Sequence, residues 1–199
     1  TKQTHKNLQI IVSDNSPSNL ESERIVREFM KEDNRIILYK QKENIGAANN
    51  FRFLIEKAEG EYFMWAADDD VWELTFIEKN LKAIQSDSRY IASLPYYFAI
   101  DSKGEILKFF PDYCKNLSKI PDFDEFKRLY KYIAQHERYG KATLFYSLIK
   151  TNIVKQSSFK FFSNKICAFD DLFILEWLFK GNLAVVPEVL FYVRHLNEK

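Results

Sequence analysis

The apolar residues of this chain follow two rhythms. Short unbroken runs rich in β-branched residues, "LQIIVSD" at 8–14 and "RIILYK" at 35–40, read as buried strands. Between them "SNLESERIVREFMKED" opens on Ser and Asn and places Leu20, Ile25, Val26, Phe29 and Met30 at near-helical spacing, which predicts an amphipathic helix. A Gly-containing loop, "QKENIG", leads into a second helical stretch, "AANNFRFLIEKAEG", predicted to stop at Gly60, and then into "EYFMWAA", a third strand. This β-α-β-α-β alternation with continuously apolar strands predicts an α/β fold: a Rossmann-like, mostly parallel sheet flanked by helices, with a small antiparallel element.

Further along, "LTFIEKNLKAIQSD" reads as a helix, and "RYIASLPYYFAID" as one or two strands continued through the "DSKGE" turn into a hairpin with "ILKFF". Signals weaken from Pro111 to about Gly140, although "DFDEFKRLYKYIAQ" carries a helical pattern. "FDDLFILEWLFKG" predicts a helix ended by Gly181, and "NLAVVPEVLFYVRH" a strand interrupted by Pro187.

The stretch "EYFMWAADDDVW" ends an apolar run on three adjacent aspartates, Asp68, Asp69 and Asp70. Adjacent negative charges repel, so a positive partner is expected nearby. In an open α/β sheet, ligands bind beyond the carboxyl ends of the strands, where both Asp14 and this triplet fall. Mg²⁺ typically takes one or two carboxylates plus substrate phosphates, which accounts for the cluster. The simpler alternative is that the aspartates cap a helix beginning near Leu74.

Composition narrows the field. A chain of 199 residues fits a single domain with a real core, and 29 Lys and Arg against 28 Asp and Glu leave a net charge of +1, with no global attraction to nucleic acid or to an anionic membrane. Aromatic residues at 16% imply either a thick aromatic core or apolar surface near a partner. Cys114 and Cys167 form no CxxC motif and suit a reducing cytosol as two buried small hydrophobes. No run reaches a membrane span and no signal peptide is visible, so a cytoplasmic location is expected, with peripheral contact at the inner face of the membrane open. Thr1 is not a start methionine, and the chain reads as a fragment of a longer protein.

"IIVSDNS", "ENIGAANNFRFLIEKAEGEYFMWAADDDVW" and "FDDLFILEWLFKGNLAVVPEVLFYVRH" resemble, in that order, successive segments of family-2 glycosyltransferases with the GT-A fold, from about Leu8 to His195. The resemblance implies inverting transfer of a sugar from a nucleotide-diphosphate donor, usually UDP-linked, to the hydroxyl of a glycan or lipid-linked acceptor, as in synthesis of bacterial surface polysaccharide or glycolipid. It also implies a nucleotide-sugar-binding half over 1–101 and an acceptor half over 102–199. Asp14 matches the aspartate that hydrogen-bonds the base, and Asn44, Gly46 and Asn50 match the loop and helix start beside the nucleotide. Asp68 and Asp70 match the DXD pair, with Asp70 on a divalent metal, Mg²⁺ or Mn²⁺, Asp68 near the ribose or assisting through water, and Asp69 able to share either task. His195, beside Arg194, resembles strand-end residues that approach the metal or diphosphate in some relatives.

The same resemblance puts a general base at the start of "FDDLFILEWLFKG". Relatives usually show Glu-Asp there with a Gly three turns later, so counting back from Gly181 favours Asp170, with Phe169 in place of the Glu. A register one residue different would give the role to Asp171. Relatives also begin with a further strand and helix ahead of the segment seen here at "LQIIVSD", so the expectation is either a truncated sequence or a domain whose sheet another segment completes. Two rival readings stand beside the enzyme. One is a glycosyltransferase-like module that binds without catalysis, and the other a sugar-nucleotide pyrophosphorylase, which lacks its Gly-rich basic phosphate loop here. For the acceptor, Tyr139 in "HERYGKATLFYSLIK" is a candidate stacking residue.

Overall fold

A computed structural model describes residues 2–108, 111–136, 140–157 and 168–195. The first strand, β1 (Ile10–Asp14), pairs in parallel with β2 (Ile36–Lys40), Ile10 opposite Ile36 and Asp14 opposite Lys40. Between them runs α1 (Leu20–Glu32), whose free N–H groups are met by the Asn19 carboxamide oxygen, 3.1 Å from Glu21 N and 3.2 Å from Ser22 N. Glu21 and Glu23 in its first turn and Lys31 in its last suit the helix dipole. From β2 the chain passes through Gly46, at φ 81°, into α2 (Ala47–Lys57). That positive φ is open to glycine at no steric cost. The helix stops at Lys57, one turn short of Gly60, because Ala58 already turns extended.

The third predicted strand is much shorter than its apolar run. Only Tyr62–Phe63 forms β3, and "MWAA" continues as irregular chain that sends Trp65 into the core. The aspartates lead into β4 (Val71–Trp72), and α3 (Phe76–Gln85) begins after Thr75. Asp68 to Asp70 therefore do not cap a helix. Next come the long β5 (Tyr90–Ile100), β6 (Ile106–Lys108), α4 (Pro111–Leu117), α5 (Glu125–Ile133), a 3₁₀ helix at Lys141–Tyr146, β7 (Leu148–Lys150), α6 (Thr151–Lys155), α7 (Phe169–Lys180) and β8 (Asn182–Arg194).

β1 and β2 form a sheet of their own, while the remaining strands follow the order β3-β7-β5-β8-β4, with β6 on β5. The β5–β8 pairing is parallel and the other pairings of this sheet are antiparallel, so the helices flank a mixed sheet with a larger antiparallel share than the apolar strands predict. Pro187 does not end β8. The register jumps from Val186 to Val189 opposite Pro95 and Tyr96, a bulge that absorbs the proline lacking a ladder N–H.

The aromatic residues build the core and also lie at the surface. Trp65 stacks on Phe145 at 4.1 Å with rings 2° apart, and Phe51, Phe63 and Phe173 meet it edge-on. Its indole N–H donates to Phe51 O at 3.1 Å, which removes the cost of burying that donor. On the outside, Phe123, Phe126, Tyr130 and Phe179 remain exposed. Cys114 is buried and free as expected, while Cys167 and Tyr139 lie outside the described residues. Among the described residues no helix is long and apolar enough to cross a membrane.

Candidate active site

The site assembles at strand ends. Asp14 closes β1, and its Oδ1 accepts from Ser16 N at 2.9 Å, so the Asx-turn expected of "DNSPSN" does form. Its other oxygen, Oδ2, is buried and has no donor among the described residues. A buried carboxylate oxygen left without a donor is costly, and a ligand N–H would satisfy it. Beside it the asparagines predicted at this loop shape the backbone. Asn44 Oδ1 accepts from Gly46 N at 2.8 Å and from Asn15 Nδ2 at 3.1 Å, while Asn15 Oδ1 accepts from Ile45 N at 2.9 Å. Asn50 Oδ1 takes the Ser13 hydroxyl at 2.6 Å and thereby fixes α2 against β1 next to Asp14.

The aspartate triplet finds its positive partner at the end of β8. Arg194 N donates to Asp70 Oδ1 at 2.8 Å, and the guanidinium donates to the backbone oxygens of Asp69 and Asp101. Arg194 thus clamps the loop to the sheet through main-chain carbonyls. Burial, helped by the neighbouring Asp69 charge and opposed by the Arg194 hydrogen bond and the charges of His195 and Arg194, leaves the Asp70 carboxyl pushed up to about 6. His195 is exposed, held by its own N–H to Ile100 O at 2.9 Å. Asp68 is exposed on the same loop.

The first turn of α7 supplies the remaining carboxylates. Ala168 precedes it at φ 61°, a left-handed turn that swings the chain into the helix, and Gly181 ends the helix as predicted. Phe169 joins the aromatic core, 6.1 Å from Phe51 and 6.0 Å from Phe145 between ring centroids. The two aspartates that follow diverge in use. Asp171 accepts a hydrogen bond from the Tyr132 hydroxyl of α5, while Asp170 lies within electrostatic reach of Tyr146.

Tyr146 was not legible as a site residue. It ends the 3₁₀ helix, its ring 5.6 Å from Phe145 and 6.1 Å from Phe191. Burial first, and then the charges of Asp70, Asp69 and Asp170, raise its phenol to about 12. Carboxylates from both halves of the sequence therefore act on one hydroxyl. The only signal in "ATLFYSL" was another aromatic residue among many.

No group of three or more His, Cys, Asp or Glu placed to hold an ion occurs among the described residues, so a closed protein cage is not built here. The donor set does fit an ion held from one side. Asp70 carries a charge that burial and Asp69 disfavour, which a divalent cation completed by ligand oxygens would offset.

The chain combines a mixed α/β sheet with carboxylates at the ends of its elements, and comparison with known proteins gives its family. The sequence model of glycosyl transferase family 2 matches residues 1–150, and the chain belongs to that family. It is 25% identical over 154 residues to an uncharacterised glycosyltransferase of Methanocaldococcus jannaschii, covering 77% of this chain and 49% of that one. It is 31% identical over 103 residues to the glycosyltransferase GlyG of Streptococcus pneumoniae, covering 52% of this chain and 34% of that protein. The chain thus spans half or less of the length of these relatives. In three dimensions it is similar to S. aureus TarS 1–349 in complex with UDP-GlcNAc, at TM-score 0.69 and 14% identity over 100% of this chain and 53% of that one, which establishes the GT-A fold.

Proposed function

We propose that this chain is the donor-binding and transfer core of an inverting glycosyltransferase that moves a sugar from a UDP-linked donor to an acceptor hydroxyl in surface polysaccharide or glycolipid synthesis. The observation that carries the reading is that the aspartate loop and the first turn of α7 come together through the Phe145–Tyr146 rings, with the charges of Asp70, Asp69 and Asp170 all acting on Tyr146, since transfer needs a diphosphate-binding group and a base at one sugar carbon. The UDP and UDP-GlcNAc complexes of TarS support a uridine nucleotide as donor carrier.

In this reading Asp14 Oδ2 accepts an N–H of the base, on the loop held by Asn44, Gly46 and Asn50. Asp70, with Asp68 or Asp69, would hold Mg²⁺ or Mn²⁺; when bound, the ion neutralises charge developing on the departing diphosphate. Asp170 takes the proton of the acceptor hydroxyl. The acceptor oxygen forms its bond to the anomeric carbon from the face opposite the leaving group, and the electron pair of the breaking C–O bond leaves with the nucleoside diphosphate. Asp171, which accepts the Tyr132 hydroxyl, is the alternative base if the register lies one residue along.

Calorimetric titration of UDP into the protein with and without MnCl₂ tests the reading. Binding is expected to require the ion and to be lost in Asp70→Ala with melting temperature retained. Failure of the wild-type chain to bind UDP in either condition overturns it.

A further inference from the structure

Tyr146 is half-buried, and its setting is more than packing. Its ring lies against Phe191, the residue of β8 that pairs with Trp72, two positions beyond Asp70. The adjacent Phe145 contacts Phe169 and Phe173 of α7, which bracket Asp170. Two independent sets of ring contacts thus seat one phenol at the junction between the aspartate loop and the first turn of α7. At neutral pH a tyrosine is a donor as well as an acceptor, whereas each carboxylate around it can only accept.

Resting on the nucleotide-sugar reading above, we infer that the Tyr146 hydroxyl is a donor-sugar specificity residue, hydrogen-bonding an oxygen of the transferred sugar between the diphosphate side at Asp70 and the base side at Asp170. The geometry restricts what it reads. In that reading the nucleotide base sits at Asp14 on β1, in the other sheet, and the acceptor hydroxyl meets the sugar at Asp170, so the sugar is the part of the donor that occupies the junction. A sugar presents hydroxyl and ring oxygens that accept from a neutral phenol, and placing the contact on an aromatic ring held by two neighbours fixes its direction.

Tyr146→Phe keeps the ring and removes the hydroxyl. The test measures the affinity of wild type and variant for UDP and for UDP-glucose, UDP-galactose and UDP-N-acetylglucosamine, in MnCl₂ by calorimetry. Losing one hydrogen bond to the sugar is expected to weaken the preferred UDP-sugar by roughly 10-fold while UDP stays within about twofold, and the melting temperature holds because the ring contacts remain. Loss of the same factor for UDP and UDP-sugar would overturn the inference by moving the contact to the nucleotide. No change for either would overturn it by leaving Tyr146 a packing residue. Wild-type chain that binds UDP but gains nothing from any of the three sugars would overturn the inference and leave the nucleotide reading standing, whereas failure to bind UDP at all would remove both.

Discussion

Two neighbouring aspartates at the start of α7 illustrate how far environment separates identical side chains. Asp171 is tied to Tyr132 across the α5–α7 contact, and the charge of Asp170 acts on Tyr146 together with those of the aspartate loop. In any assay where the protein transfers sugar, Asp170→Asn should lower turnover by roughly 10²- to 10⁴-fold with little change in UDP affinity, as expected when a general base is removed. Asp171→Asn should instead lose about 1 kcal/mol of stability by weakening a charge-assisted hydrogen bond, and keep most of the turnover. Reversal of the two results would move the base to Asp171. Asp70 makes a different prediction, through pH. The folded protein holds its proton more tightly than the unfolded chain does, so between the ordinary carboxylate range and about 6 the native state binds the extra proton. Stability of the metal-free protein should therefore fall as pH rises through that window, the reverse of an ion-paired carboxylate. Asp70→Asn keeps an acceptor for Arg194 N, so it should flatten this dependence and raise stability above pH 6. After allowance for solvent screening of a half-exposed group, the gain is about 1 kcal/mol. Melting curves from pH 4 to 8 in EDTA check it, and a variant that melts at or below wild type at pH 7.5 would refute the burial argument.

At the level of elements, the end of α7 is set by one close contact. A Cβ on Gly181 would lie 2.6 Å from Ile91 Cγ2 and 2.9 Å from Cγ1, on the neighbouring strand β5. Gly181→Ala should cost about 1–3 kcal/mol, the range of overpacking, and Ile91→Ala in the same chain should recover part of it. A double variant as unstable as the sum of the singles would show that the clash is not the cause. Arg128, buried in α5, closes the same helix end by donating to Leu178 O at 2.6 Å. The helix itself was legible in "FDDLFILEWLFKG", because a Gly after a long apolar repeat is a local signal, and so were β1, α1 and β2, whose rhythms are likewise local. The brevity of β3 was not, since "EYFMWAA" has strand composition throughout and only the tertiary placement of Trp65 diverts it. The site divides the same way. Asp14, Asp70 and Asp170 stand at recognisable ends of elements, whereas Tyr146 and the clamp made by Arg194 depend on contacts between segments far apart in sequence.

For the molecule as a whole, the division into two sheets has a consequence for how it opens. In the larger sheet, Ala92 and Leu94 of β5 and Leu183 of β8 are completely buried, while no residue of β1 is fully buried and α1 buries none of its side chains. Ile25 and Phe29 of α1 remain 43% and 51% exposed. Contact density this uneven predicts two cooperative units, with β1, α1 and β2 undergoing local unfolding without the rest. In native-state amide hydrogen exchange, the protons of 10–14 and 36–40 should exchange through openings about 2 kcal/mol or more cheaper than those of β5 and β8. Equal protection in both sheets would contradict this. Asp14 belongs to the loosely held unit, and Asp70 and Asp170 to the firm one. A nucleotide-sugar bound across them would slow exchange chiefly in β1 and β2, by RT ln(1 + [L]/Kd), so the protection of a few strand amides would serve as a direct gauge of donor occupancy.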